Sequence, residues 1–381
     1  MQRIHADCIV IGGGIAGASV AWWLAPHAHT ILLERESQPG YHSTGRSVAL
    51  FMESYGAPQV RALTLASRSF MWSPPEGFAP QPLVAPRGAL MVAAPGELQA
   101  LEEHWEMLCN LSPTARRLSA DETRALVPVL RPEQVLGGAH EPDAADMDVH
   151  ALHQGYLRGL RRHGGQLVCD ADVTGLTRER GDWLVEAGGR TYAAPVVLNA
   201  AGAWVDAIAQ LAGVPPIGIE PRRRSAFVFG APEGIRAAHW PLVFSAGEGW
   251  YIKPDAGMLV GSPANADLVA PHDVQPEELD IATAIHRIEE ATTLTIRRPT
   301  RTWAGLRSFV ADGGLVGGFD EHAPGFFWVA AQGGYGIQTS AAMGEACAAL
   351  ARGQPLPARL TDFGLTAQML GPARLSDAPN Q

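Results

Sequence analysis

Lysine is almost missing from this 381-residue chain: Lys253 is the only one, so Schiff-base chemistry would have to rest on a single amine. Cysteine is scarce too. Cys8, Cys109, Cys169 and Cys347 are scattered with no CxxC pair, and they read as small buried hydrophobes of a reducing compartment. Positive charge is in deficit, with 29 Lys and Arg against 39 Asp and Glu, and the net charge of -10 argues against nucleic acid and an anionic membrane surface as partners. The densest basic run is Arg222-Arg223-Arg224. No apolar run reaches the roughly 18 residues that a bilayer span demands. The apolar start at Cys8 is broken by glycines rather than by a cleavage site, so a cytoplasmic protein is expected, with peripheral docking at the inner membrane left open. What the chain does have is apolar bulk: 46% hydrophobic against 18% charged residues describes a large interior, and the length suits two interleaved domains.

The apolar strand Cys8-Ile9-Val10-Ile11 runs into Gly12-Gly13-Gly14-Ile15-Ala16-Gly17, then an Ala-rich helical run, then Ile31-Leu32-Leu33-Glu34. That order makes a weak glycine pattern into a dinucleotide-binding βαβ unit. Gly12 permits the sharp turn, Gly14 lets the backbone approach a pyrophosphate, and Gly17 lets the helix lie close to the strand. The helix start offers unpaired N–H groups to phosphate. Glu34, 17 residues beyond Gly17, stands where a carboxylate accepts from both ribose hydroxyls. A 2′-phosphate would be repelled there, which favours FAD or NAD over NADP.

Farther on, the segment 38–47 is a Gly/Ser/Thr-rich loop expected to enter a helix near 46–51, at the sheet edge where open α/β folds bind ligands. Helical spacing marks 97–111, 119–127 and 150–162, the second with the capping box Ser119 and Glu122. Short strands are expected at 166–169, 183–186 and 195–199, the last leading into Ala200-Ala201-Gly202-Ala203-Trp204, where small residues again let backbone pass close to a cofactor. Residues 225–260 alternate like an antiparallel sheet, and 280–293 reads as a helix across it. A last strand at 326–331 meets Gln332-Gly333-Gly334-Tyr335-Gly336 and a helix over 337–352, and the Pro-rich end after Gly353 reads as loose surface structure. Three glycine-rich strand-to-helix junctions so far apart imply a discontinuous nucleotide domain.

With those junctions in view, the chain resembles the FAD-dependent D-amino acid oxidase superfamily and, within it, the bacterial D-arginine dehydrogenases. The likeness spans residues 7–370. Its most specific pieces are Gln38-Pro-Gly-Tyr-His-Ser-Thr-Gly-Arg-Ser47, Asn199-Ala-Ala-Gly-Ala-Trp204, Arg223-Arg-Ser-Ala-Phe227, Trp303-Ala-Gly-Leu-Arg-Ser308 and Gln332-Gly-Gly-Tyr-Gly-Ile-Gln338. The resemblance implies an α/β architecture: a Rossmann-like FAD-binding domain (1–80, 145–218, 305–381) and an α+β substrate domain on a largely antiparallel sheet (81–144, 219–304). It implies FAD as the tightly held cofactor, with no metal and no second nucleotide. Covalent members attach flavin through a cysteine after the late arginine; here the next cysteine after Arg307 is Cys347, on the final helix, so non-covalent FAD is expected.

By the same resemblance Arg307 and Arg224 bind the substrate carboxylate, as a two-point guanidinium grip would. Adjacent Arg222 and Arg223 leave the register of Arg224 open by one step. Tyr55, on a mobile lid, and Tyr251, on the substrate sheet, flank the substrate, although tyrosines on strands are as readily core residues. Ser47 falls beside flavin N5 or is simply a turn residue. The implied cofactor contacts further include Arg35, His42, Ser43, Thr44, Arg46, Val173, Ala201, Gly202, Trp204, Gly333, Gly334, Tyr335, Gly336, Ile337 and Gln338, with the last junction setting a helix N-terminus beside flavin N1. Gly334 also contacts substrate in the resemblance.

Where the family places a glutamate for the distant guanidinium, this chain has Ala89; a histidine and a threonine of the lid become Leu50 and Met52, and the pocket gains Phe244. Every change removes polarity, so neutral apolar D-amino acids are expected as substrates ahead of arginine and lysine. Glu53, at a family apolar position on the lid, is the one residue that could restore a cation partner, and it is expected to face water instead. The implied reaction is hydride transfer from Cα of the neutral amine, giving an imino acid and then a 2-oxo acid, with a quinone or other carrier as electron acceptor. The alternatives are an oxidase of the glycine or sarcosine type that uses oxygen, and a non-catalytic flavin-binding scaffold.

Overall fold

The computed structural model describes residues 3–375. At its centre a six-stranded sheet runs in the order Gln166–Val168, Thr30–Leu33, Cys8–Ile11, Val196–Asn199, Phe326–Ala330 and Val316–Phe319. Every neighbouring pair is parallel except the last. The four inner strands are buried almost throughout because both faces are covered. Val10, Leu32, Leu198 and Phe327 lie on one face, under the helices Ile15–Leu24, Val149–Arg162 and Ser340–Ala351. Ile9, Ile31, Val197 and Trp328 lie on the other, under a four-stranded sheet that contributes Trp183, Val185 and Tyr192. One pleat therefore feeds two cores.

A nine-stranded sheet forms the second layer system. Its path is Asp267–Leu268, Glu220–Phe229, Met258–Ser262, Tyr251–Asp255, Leu242–Ser245, Ala89–Ala93, Gly137–Glu141 and Arg116–Ser119, with Arg301–Phe309 also pairing along Glu220–Phe229. It is antiparallel apart from the pair Leu242–Ser245 and Ala89–Ala93. The helix Glu278–Ala291 packs across it and buries Ala284 and Ile288 with Phe227 and Leu259. Strand Arg301–Phe309 lies wholly within this sheet. A small three-stranded sheet, Leu50–Phe51, Ala145–Met147 and Val84–Pro86, ties the two halves together.

Other expectations need adjustment. The capping box at Ser119 and Glu122 is present on the helix Ala120–Leu126. No helix forms over 46–51: the chain turns and then makes strand Leu50–Phe51, because tertiary partners take up its polar groups, among them Trp303 Nε1 donating to the Arg46 carbonyl over 2.9 Å. The final helix begins at Ser340 rather than at residue 337, after a series of turns. The Pro-rich end is not loose over its described part: helices Ala358–Thr361 and Ala367–Leu370 dock through buried Leu360, Leu365 and Leu370. Residues 376–381 lie outside the described residues. Among the described residues no helix is long and apolar enough to cross a membrane, and no cluster of metal-ligating side chains occurs.

Candidate active site

At the nucleotide end the glycines are needed for contact rather than for composition. Gly12 has φ +106°, and a Cβ there would stand 2.5 Å from the Ala200 carbonyl oxygen; one at Gly17 would collide with the Gly12 carbonyl. A Cβ at Gly14 meets only Thr44 Oγ1, at 3.4 Å, which leaves that backbone open to a phosphate. Thr44 Oγ1 meanwhile accepts from the Ile15 amide over 2.9 Å at the helix start. The buried Glu34 carboxylate is fixed by the amides of Gly13 at 2.7 Å and Glu36 at 2.9 Å.

Beyond Glu34, the Arg35 guanidinium lies 4.0 Å over the Trp204 ring, and the rings of His42 and Trp204 are 4.8 Å apart. His42 Nε2 meets Glu36 at 2.8 Å. Burial opposes the charge on Glu36, but the bonds to His42 and Arg35 outweigh it and hold its carboxyl below the usual range. Ala201 and Gly202 open the second junction, Gly202 at φ +58°. Val173 is buried in the core under Ile31 and Leu33.

Two residues here escaped the sequence reading, Glu36 and His153. His153 is buried on the helix Val149–Arg162, and its Nε2 lies 2.8 Å from the Gly13 carbonyl oxygen. Burial lowers its pKa, so the neutral ring donates Nε2–H and pins the glycine turn from below. Helical spacing alone marks it as an ordinary interior position.

A cavity of about 550 Å³ lies between the two large sheets. Its lining brings together Ser47, Tyr55, Arg224, Tyr251, Arg307 and Gly334, from segments far apart in the sequence. Leu50, Met52 and Phe244 line it as well. Ala89 does not: it sits behind Met52 at 2% exposure. Lys253 is also elsewhere, buried against Asp146 at 2.7 Å, so the single lysine is committed to an ion pair.

Strand alternation resolves the arginine run. Arg223 points away from the cavity into a cluster of Asp280, Glu277 and Asp267, and Arg222 pairs with Glu220 at 2.7 Å. Arg224 lies on the cavity side, its Nε donating to the Asn265 carbonyl over 2.6 Å. Burial and then the nearby Arg307 lower the pKa of Arg224. Neither Arg224 nor Arg307 has a carboxylate partner among the described residues. Arg307 Nη1 donates to Tyr55 Oη over 3.0 Å. The Arg307 charge lowers the Tyr55 pKa against the effect of burial.

Several loop residues make contacts with distant parts of the chain. Arg46 lines the cavity edge, but its guanidinium donates to the carbonyls of Val274 and Ala304 and pairs with Asp273, while Ser43 Oγ donates to the Leu306 carbonyl. These side chains fasten the loop to the nine-stranded sheet, and Ser43, Thr44 and Arg46 all line the cavity. Gln338 lines the cavity too, yet its Oε1 accepts from the Met52 amide at 3.1 Å and its Nε2 donates to Thr64 Oγ1 at 2.9 Å. Gly333, Tyr335, Gly336 and Ile337 present turns rather than a helix end to the cavity. Glu53 is ion-paired to Arg68 at 2.5 Å and only 12% exposed, so it does not face water.

The sequence reading missed Glu248 and His104. Glu248 is the only carboxylate lining the cavity among the described residues; it sits exposed at the mouth, at φ +53° in the turn between strands Leu242–Ser245 and Tyr251–Asp255. The glycines on either side mark the turn, but not which end of the sheet it joins. His104 enters from helix Leu98–Leu111 with its ring centre 6.1 Å from that of Phe244, and burial lowers its pKa to about 4.

The family model for FAD-dependent oxidoreductases of the DAO type matches residues 7–350. The chain belongs to that family. Among curated DAO-family relatives it is similar to FAD-dependent oxidoreductase domain-containing protein 1 of Bos taurus, 25% identical over 90% of this chain and 80% of that protein. It is similar to sarcosine oxidase subunit beta of Rhizobium meliloti at 24% identity, over 82% of this chain and 76% of that one. In fold it matches glycine oxidase from Geobacillus kaustophilus with a TM-score of 0.81, at 20% identity over 96% and 99% of the two chains. L-α-glycerophosphate oxidase from Mycoplasma pneumoniae, with FAD bound, superposes with a TM-score of 0.82 at 18% identity, over 92% and 95%.

The protein is therefore an FAD-dependent oxidoreductase of mixed α/β fold. Its residues suit the cofactor: the cradle that a Cβ at Gly12 or Gly17 would fill, the open backbone at Gly14, and a buried Glu34 carboxylate with lone pairs left for ribose hydroxyls.

Proposed function

We propose that the protein oxidises the Cα–N bond of α-amino acids, of the D series by its resemblance to D-arginine dehydrogenases, with neutral apolar side chains preferred over arginine. The observation that carries this is the pairing of Arg224 and Arg307, two guanidiniums without carboxylate partners, in one cavity walled by the glycine turn 332–336. A buried cation left unpaired by the fold is costly unless a ligand anion completes it. The substrate carboxylate is that anion.

Non-covalently held FAD supplies the two-electron acceptor for the Cα hydride. Tyr55 accepts from Arg307, so its own O–H remains free to donate to the substrate carboxylate or amine. Tyr251, across the strand pair from Phe244, closes the opposite wall. The two arginines also disfavour an ammonium beside them, which promotes the neutral amine needed to stabilise the forming C=N bond. The amine proton leaves to solvent, and the imino acid then takes up water to give a 2-oxo acid and ammonia. Cys347 supports non-covalent binding of FAD, because it is buried against Gly317 and Met343, outside the cavity lining.

Leu50, Met52, Met91, Leu242 and Phe244 make the side-chain end of the cavity apolar, and Glu248 stands in solvent at its mouth where water screens it. Neutral side chains gain from such a lining, whereas a guanidinium loses hydration without a buried partner. The electron acceptor is proposed to be a quinone or another carrier. Anaerobic bleaching of the flavin with matched D- and L-amino acids tests the reading: loss of the oxidised absorbance with D-leucine, D-methionine or D-phenylalanine supports it, and no bleaching by any amino acid refutes it. Hydrogen peroxide in stoichiometric yield under air would instead make it an oxidase of the glycine or sarcosine type.

A further inference from the structure

The segment that carries Tyr55 into the cavity is anchored from outside by a carboxylate that does not line it. Glu141 ends strand Gly137–Glu141, opposite Ala89, and is 3% exposed. One of its oxygens accepts from the Glu53 amide at 2.9 Å, and the other accepts from Ser54 Oγ. From the opposite side Gln338 holds the Met52 amide. Met52 to Tyr55 is thus clamped at both ends of one turn, with Tyr55 N–H donating back to the Met52 carbonyl over 3.3 Å. Immediately beyond the clamp, the Tyr55 phenol meets Arg307.

We propose that Glu141 is a positioning residue of this site: by gripping the Glu53 amide and the Ser54 hydroxyl it sets the Tyr55 phenol against Arg307, where the substrate carboxylate is received. The inference rests on the assignment of Tyr55 and Arg307 to the substrate. Ala89, opposite Glu141 in the strand pair, packs with Met52 at the start of the same turn.

The electrostatics fit a carboxylate kept for position rather than for stability. Burial raises its pKa to about 7, against the bonds from Ser54 and Glu53. The charged groups around it do not offset this. Glu53 is a like charge already paired with Arg68 of helix Pro58–Trp72; Arg87, Asp146 and Lys253 on adjoining strands pair among themselves; and His140 next to it alternates to the other face, across from Arg116. An acid whose pKa is raised by folding stabilises the fold when protonated and loses that contribution as pH rises through about 7. The ionised form therefore costs stability while it supplies two acceptors to the lid.

Hydrogen–deuterium exchange on the FAD-loaded protein tests the clamp without needing turnover. At pH 8, Glu141→Ala is expected to speed exchange in residues 50–57 about tenfold or more, the loss of a bond to a charged acceptor, with the rest of the chain unchanged. Glu141→Gln, which keeps one acceptor and adds a donor, is expected to give a smaller change and a Tm no lower than wild type, because a buried charge is gone. Corrected for intrinsic rates, wild-type protection of 50–57 falls as pH drops through about 7, and in Glu141→Gln it does not. Unaltered exchange in Glu141→Ala, a pH step that persists in Glu141→Gln, or loss of protection throughout the chain would overturn the proposal. Amino acid bleaching of the flavin reports the functional reading separately: bleaching with unaltered exchange defeats only the clamp, and altered exchange without bleaching defeats only the substrate assignment.

Discussion

The Arg307 guanidinium packs against Gly334 so closely that a Cβ there would stand 2.9 Å from Nη1 and 3.0 Å from Cζ. The flexible end of an arginine could move aside, but Tyr55 pins this one. Gly334→Ala is therefore expected to displace the guanidinium and not the fold. The substrate KM should rise about tenfold or more, the worth of a charge-assisted hydrogen bond, while FAD content and Tm stay close to wild type. Steady-state kinetics with D-leucine beside a flavin absorbance spectrum makes the check.

The arginine run separates binding from stability within consecutive residues. Arg223→Ala leaves the shielded Asp280 beside the exposed Glu277 and Asp267 without their shared cation and should cost about 1 kcal/mol of stability, because water screens two of the three carboxylates. Arg224→Ala removes a half-buried guanidinium whose hydrogen bond among the described residues is to the Asn265 carbonyl, so it should leave Tm close to wild type and yet weaken substrate binding about tenfold or more. Thermal denaturation paired with kinetics distinguishes the two.

Glu34 offers a test at the other end of the cofactor. Its carboxylate fixes the Gly13 and Glu36 amides and has lone pairs left for ribose. Glu34→Ala should weaken FAD binding about tenfold or more, and fluorescence titration of the apoprotein with FAD measures it.

The apolar side-chain end predicts that kcat/KM for D-leucine, D-methionine and D-phenylalanine exceeds that for D-arginine. A clear preference for D-arginine would refute this pocket reading, and its loss in Glu248→Gln would identify the carboxylate at the mouth as the reason.

The parallel sheet was legible because its strands announce themselves: Cys8–Ile11 and Phe326–Ala330 are buried on both faces and each runs into glycines that geometry requires. Local signals also placed the helix after Ser119, whose cap is built from neighbours. The cavity residues Tyr55, Arg224 and Arg307 were reachable only through family resemblance, since nothing local distinguishes Arg224 from Arg223 until the strand's facing is known. Long-range bonds were invisible. The segment 46–51 forgoes a helix because Trp303 and strand Ala145–Met147 claim its backbone, and Glu141, His153 and Glu248 gain their places from partners distant in sequence.

The central claim is that Arg307 grips the substrate's acid group beside the flavin. Stopped-flow anaerobic reduction of Arg307→Met by D-leucine tests it most directly. The expected result is a variant with a normal oxidised flavin spectrum and an apparent Kd for D-leucine raised about a hundredfold, as losing a two-point charged contact implies. Reduction of the variant flavin at the wild-type rate and affinity would contradict the account.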